Sequence, residues 1–234
     1  MTVRGQLLEM LAAVATAIGD ELREQLVFVG GCSSALLITD PYTIEDVRMT
    51  DDVDLIVNLT GKGKWLVLQD RLSRSGFKVA SEDGLMCRMR LGELKVDFMP
   101  DDAELLGFTN RWYARGIETA VTATLTPDLQ IKHLTAPYFL ATKLEAYLGR
   151  GGNDPLRSHD LEDVLLVIDG REELLVEVLE ADADVRTFIA KQLRDLQAHE
   201  YFDSFLDGNI RGSSGREDVV RSRIEALAGC HGEG

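Results

Sequence analysis

The sequence predicts an α/β fold (α+β by its chain order), with a mixed sheet and helices over residues 1–134 and a helical domain over 135–234. Two observations predict it. Helix-spaced and strand-like apolar runs alternate from residue 3 to about 99, and from about 135 onward only helical spacing remains.

Taken in order, Leu7, Leu8, Leu11, Val14 and Ile18 give a helical stripe within residues 3–25, and Val27-Phe28-Val29 continues as a strand over 26–29. The glycine pair Gly30-Gly31 opens a short helix over about 31–38, which Asp40-Pro41 breaks. A loop of about ten residues leads to a strand at 53–59 that begins as Asp52-Val53-Asp54 and runs on as Leu55-Ile56-Val57. An amphipathic helix over about 63–75 ends at Gly76. Three strands follow, Phe77–Ala80, Leu85–Arg90 and Leu94–Met99, with turn signals between them. The second part holds helices at Ala136–Leu148, Ser158–Ile168, Glu172–Leu179, Asp184–Glu200 and Glu217–Leu227, and Gly149–Pro155 separates the first two.

The chain's 234 residues are enough for one large domain or two small ones. No apolar run reaches the length of a membrane span, and no signal-peptide pattern opens the chain. Cys32, Cys87 and Cys230 are scattered, which argues against a zinc site or a disulfide framework and suits a reducing cytoplasm. A formal net charge of −15 argues against a broad polyanion-binding surface. The distribution is uneven, however. Residues 61–95 carry Lys62, Lys64, Arg71, Arg74, Lys78, Arg88, Arg90 and Lys95 against four acids. That stretch is either a local nucleic-acid contact or a solvated surface of mixed charge.

Residues i and i+2 of a strand share a face, so Asp52 and Asp54 can aim at one divalent cation. Glycine lets backbone N–H groups approach a polyphosphate closely where a helix begins, which makes Gly30 and Gly31 candidate nucleotide-binding residues. Asp97, in the apolar strand Leu94–Met99, is costly to bury without a partner. It either joins the pair around magnesium or manganese or is salt-bridged to a neighbour such as Lys95 or Arg90. Trp112-Tyr113 could stack on a base, but core is the favoured placement.

This order of a glycine pair, D-x-D and a later strand Asp resembles the DNA polymerase β-like nucleotidyltransferase superfamily. Within it the chain is similar to the AbiEii/AbiGii toxin-type nucleotidyltransferases. Val29-Gly30-Gly31 and Arg48-Met49-Thr50-Asp51-Asp52-Val53-Asp54-Leu55 match the group's glycine and R-x-[ST]-x-D-x-D motifs. Lys143-Leu144-Glu145-Ala146 and Arg157-Ser158-His159-Asp160-Leu161-Glu162-Asp163 resemble its K-L-x-A and R-x-[KRH]-D-x-x-D motifs. The resemblance spans about 26–168 and implies Mg²⁺-dependent transfer of an NMP from an NTP to an acceptor hydroxyl, with release of pyrophosphate. Asp52, Asp54, Asp97, Lys143 and Asp160 would be catalytic, and the first three would hold the metal. Lys143 would contact the nucleotide phosphates, and Asp160 would position Lys143 or the acceptor. Asp163 would be a structural partner.

Two departures stand out. The gap from Gly31 to Asp52 is longer than usual, which points to an insertion around 40–47. Cys32 replaces the Ser or Thr that many relatives carry, leaving Ser33 or Ser34 to offer a hydroxyl to phosphate. The resemblance also implies a cytoplasmic toxin, acting on tRNA or a protein and paired with a cognate antitoxin. Two alternatives stay open: a nucleotidyltransferase acting on a small cationic molecule, as aminoglycoside-modifying enzymes do, and a non-catalytic, antitoxin-like binding module.

Overall fold

Leu26–Val29 (β1) is buried at every position and lies inside a seven-stranded mixed sheet. The structure is a computed structural model that describes residues 1–59, 61–80, 84–102, 104, 109–150, 154–212 and 215–230. The chain divides into two units, Met1–Leu36 with Val47–Thr135, and Leu37–Asp46 with Ala136–Gly234.

In the first unit, helix α1 (Val3–Ile18) is capped by the Thr2 side chain and buries Leu7, Leu11, Val14 and Ile18. Gly19, at φ +77°, ends it before the one-turn helix α2 (Asp20–Arg23). After β1 comes α3 (Gly30–Ser33), a single turn that tightens into a 3₁₀ turn at Ser34–Leu36. The remaining elements are β2 (Asp52–Val57), α4 (Lys62–Arg74), β3 (Lys78–Val79), β4 (Arg88–Leu91), β5 (Leu94–Pro100), α5 (Tyr113–Glu118), β6 (Val121–Thr126) and β7 (Leu129–His133).

The strand order is β3-β4-β5-β2-β1-β7-β6. β2 runs parallel to β5 and β1 parallel to β7, while the other neighbours are antiparallel. Val53 and Leu55 are buried where Asp52 and Asp54 are only half-buried, the alternation expected of a strand with one covered face. Phe98 packs its ring edge-on to Phe77, with centroids 5.4 Å apart. Trp112 and Tyr113 are core residues, as their sequence favoured. The hairpin β6–β7 and helix α5 have no counterpart among the predicted elements.

In the second unit, α6 (Ala136–Arg150) is buried along most of its length and packs on α7 (His159–Gly170), α8 (Leu174–Glu180) and α9 (Ala183–Gln197). Ser158 caps α7, its side chain accepting from the Leu161 N–H. The predicted helix at 184–200 stops at Gln197, and α10 (Phe202–Asn209) and α11 (Arg216–Ala228) complete the unit. Part of the predicted linker Gly149–Pro155, residues 151–153, lies outside the described residues.

The expected division near 134 takes no account of residues 37–46, which group with the helices. Their anchor is the C-terminal end of α7. The N–H groups of Thr39 and Asp40 both donate to the Gly170 carbonyl, and the Arg171 guanidinium donates to the Leu37 carbonyl at 2.8 Å. Asp40, 3% exposed, accepts from Arg216 at 2.7 Å, and Arg216 also pairs with Asp169. A Cβ placed on Gly170 would meet Ile38 Cγ2 at 2.7 Å and Thr43 Oγ1 at 3.0 Å. Gly170→Ala should therefore push this segment away and cost about 1–3 kcal/mol, readable as a lower midpoint in urea unfolding.

Candidate functional site

Three carboxylates meet on one face of the sheet in the first unit. β2 supplies Asp52 and Asp54, β5 supplies Asp97, and the parallel register sets Asp54 opposite Asp97. Oxygens of the three lie within 4.8 Å of one another. Asp52 and Asp54 are half-buried and Asp97 is 7% exposed.

The donor set is entirely carboxylate oxygen, which suits a hard cation such as Mg²⁺ or Mn²⁺. Ligands on opposite sides of one Mg²⁺ stand about 4.2 Å apart, from its usual oxygen distance of about 2.1 Å. The oxygens, within 4.8 Å of one another, are spaced on that scale, so the residues fit the ion.

Gly30 is part of the same construction. Val29 pairs with Asp54 across β1 and β2, and Gly30 leaves the strand at φ +71°. A Cβ on Gly30 would lie 1.8 Å from Asp54 Oδ2 and 2.8 Å from Asp54 Cβ. Only glycine admits both this backbone angle and the carboxylate pressed against it. Gly31 follows in the same helical turn, and a helix of one turn carries little macrodipole. Phosphate at this turn would meet individual N–H groups.

Both candidate serines are 1% exposed and donate back one turn, Ser33 Oγ to the Gly30 carbonyl at 2.9 Å and Ser34 Oγ to the Gly31 carbonyl at 2.7 Å. Their hydroxyls brace the turn. Cys32 is buried as well. Burial, then the charges of Asp54 and Asp52, pushes its thiol far above the usual range, so it stays protonated.

Arg88 is the site residue that the sequence did not single out. Its Nε and Nη2 donate to Asp97 Oδ1 and Oδ2, each at 2.7 Å, and Nη2 stands 3.6 Å from Asp52 Oδ2. The register does not set Arg90 or Lys95 opposite Asp97. The antiparallel register sets Arg88 opposite Asp97 and Arg90 opposite Lys95, and Lys95 reaches Asp51 at 2.6 Å. The Lys95 hydrogen bond holds the Asp51 carboxyl below its usual range. Thr50 Oγ1 donates to Asp52 Oδ1 at 2.5 Å.

Two cross-strand rows share this face. One runs Arg88, Asp97, Asp54, and the other runs Lys78, Arg90, Lys95, Asp52. The second sets three cations in successive opposed positions, an arrangement that weakens a sheet when nothing else offsets it.

Lys143 and Asp160 belong to the second unit. Lys143 Nζ lies 2.7 Å from Asp163 Oδ2 and 3.2 Å from Asp160 Oδ1, and Asp160 also accepts from the Arg150 guanidinium at 3.0 Å. Asp163 is thus the nearer partner. Burial alone would raise the Asp160 pKa, but the hydrogen bond and charge of Arg150 and the charge of Lys143 reverse this, holding it below the ordinary value. His159 is exposed and pairs with Glu162 at 2.8 Å. The Arg48 guanidinium donates to the Met49 carbonyl at 3.2 Å.

No protein-family model matches this chain, and no curated protein matches it. Among solved structures, the chain is similar to one titled "Crystal structure of JHP933 from Helicobacter pylori". The TM-score is 0.48 at 9% identity, over 96% of this chain and 91% of that one. So slight a likeness carries no argument.

Proposed function

We propose that this chain is a divalent-metal-dependent nucleotidyltransferase that moves an NMP from an NTP to an acceptor hydroxyl. The observation that carries the proposal is the convergence of Asp52, Asp54 and Asp97 oxygens within 4.8 Å beside the glycine turn at Gly30. The acceptor oxygen bonds to the α-phosphorus, the bond to pyrophosphate breaks, and the hydroxyl proton leaves to a base. Asp52, Asp54 and Asp97 would hold Mg²⁺ or Mn²⁺, which when bound supplies the positive charge that a triphosphate and its leaving group require. Asp97 gives each oxygen to Arg88 but keeps further lone pairs, so it remains available to the metal or to the acceptor's proton. The N–H groups of the Gly30-Gly31 turn would orient phosphate.

The row Lys78, Arg90, Lys95 ending at Asp52 favours a polyanionic acceptor over an aminoglycoside-like cation. We therefore place tRNA ahead of a small molecule. On the same resemblance we assign the protein to the cytoplasm, as the toxin of a toxin–antitoxin or phage-defence pair. No helix among the described residues is long and apolar enough to cross a membrane.

Incubation with each α-labelled NTP, Mg²⁺ and total RNA should label RNA. Asp52→Asn and Asp54→Asn should each cut labelling by about 10²–10³-fold or more. Labelling unchanged by both substitutions would remove the assigned site. Label found on protein alone would move the acceptor from RNA to protein. Absence of thermal stabilisation by every Mg²⁺–NTP would favour the non-catalytic binding module.

A further inference from the structure

The geometry points to Arg88 as a resident cation that stands in for metal and sets how tightly the site takes it, an inference that rests on the metal reading above. Carboxylates this close repel one another strongly when ionised. Arg88 meets that repulsion from within the fold. Its fork clamps Asp97 through two hydrogen bonds of 2.7 Å and lies 3.6 Å from Asp52, with a side chain only 15% exposed.

A guanidinium cannot give up its charge in a protein, so it cannot vacate the role by deprotonation. Two consequences follow. The three acids keep their arrangement without a metal, because Arg88 holds the register partner of Asp54 in place. A divalent ion arriving alone must share its ligands with a fixed positive charge, so its affinity is lowered until a triphosphate brings negative charge of its own. Arg88 is thus a positioning residue that couples metal binding to nucleotide binding.

The test is Mn²⁺ binding, followed by calorimetry and by thermal shift, in the wild type, Arg88→Met and Arg88→Lys, with and without ATP. Arg88→Met should bind Mn²⁺ alone at least about tenfold more tightly than wild type. It should also melt lower in EDTA and recover when Mn²⁺ is added. Adding ATP should tighten Mn²⁺ binding to the wild type by a larger factor than to Arg88→Met. Arg88→Lys keeps the charge but loses the fork, so its Mn²⁺ affinity should rise by a smaller factor. It decides the matter if Arg88→Met does not fold without metal. A residue that merely braces the fold would lower metal affinity when replaced. Equal or weaker Mn²⁺ binding by the variants overturns the role of Arg88 while leaving the metal site standing. Failure of every protein, wild type included, to bind Mn²⁺ with or without ATP overturns both.

Discussion

Gly30→Ala is expected to destabilise the protein by about 2–5 kcal/mol and to abolish the candidate activity in whatever remains folded. The first contribution is conformational, since Gly30 holds φ +71°, where an L side chain costs about 1–2 kcal/mol. The second is steric. The new methyl would stand 1.8 Å from Asp54 Oδ2, a contact that a turn of the carboxylate could relieve. It would also stand 2.8 Å from Asp54 Cβ, which is fixed to the strand backbone and cannot turn away. Relief then requires β1 and β2 to part where Val29 pairs with Asp54, and Asp54 leaves its position relative to Asp97. Displacement of a reacting group by about 1 Å costs on the order of 10²-fold in rate. Gly63→Ala is the control: it lies in α4 with nothing within 4 Å of its added methyl, and it should stabilise by about 0.5–1 kcal/mol. Denaturation midpoints for both variants, with transfer assayed on the folded fraction, check the prediction.

Lys143→Met should cost about 3–5 kcal/mol, through a different mechanism. The methionine stem replaces most of the lysine's apolar contact, so the loss isolates the ammonium. Without it Asp163, 1% exposed at the side chain, loses a partner at 2.7 Å, and Asp160 is left with Arg150. The pH dependence follows from the depressed Asp160 value. A carboxyl whose folded pKa lies below its unfolded value of about 3.9 contributes stability above that value and loses it as pH falls through the folded one. Removing Lys143 raises the folded value. The deficit of the variant relative to wild type should therefore be largest near neutrality and narrow as pH drops below about 4. Urea unfolding at pH 7, 5 and 3.5 measures this. A deficit that is constant across that range would mean that packing, not charge, holds the cluster.

Much of the carboxylate cluster is legible in the sequence because it is built from local rules. The buried run Val27-Phe28-Val29 marks a central strand, the i, i+2 spacing puts Asp52 and Asp54 on one face, and a charged residue in Leu94–Met99 demands company. Arg88 is legible as well, from the register of the hairpin it lies on. Gly92, at φ +62°, and Glu93 form a two-residue turn between Leu91 and Leu94. Counting outward pairs 90 with 95 and 88 with 97, so the partner of Asp97 is fixed by the hairpin.

The hairpin β6–β7 escaped notice for another reason. Val121–Thr126 alternates apolar residues with threonines, the period of a strand, but it is an edge strand in which Val121 and every threonine are exposed, so the signal carries little burial. Leu129–His133 does alternate buried and exposed positions, but it spans only five residues beside an apparent turn at Pro127. The parallel pairing of β2 with β5 is a long-range choice that no single strand encodes. Nor does the stretch around Asp40-Pro41 announce its allegiance. Its anchors, Gly170 and Arg216, are far along the chain.

That allegiance has a consequence for how the protein is made. The backbone passes from one unit to the other after residue 36, returns at 47 and leaves again after 135. On a ribosome, which delivers the chain from its N-terminus, the Asp40 loop emerges long before Gly170 and Arg216 exist to receive it. The stretch joining β1 to β2 thus stays untethered until Gly170 and Arg216 have emerged, and until then the glycine turn and the aspartate strand are bridged by a loose tether.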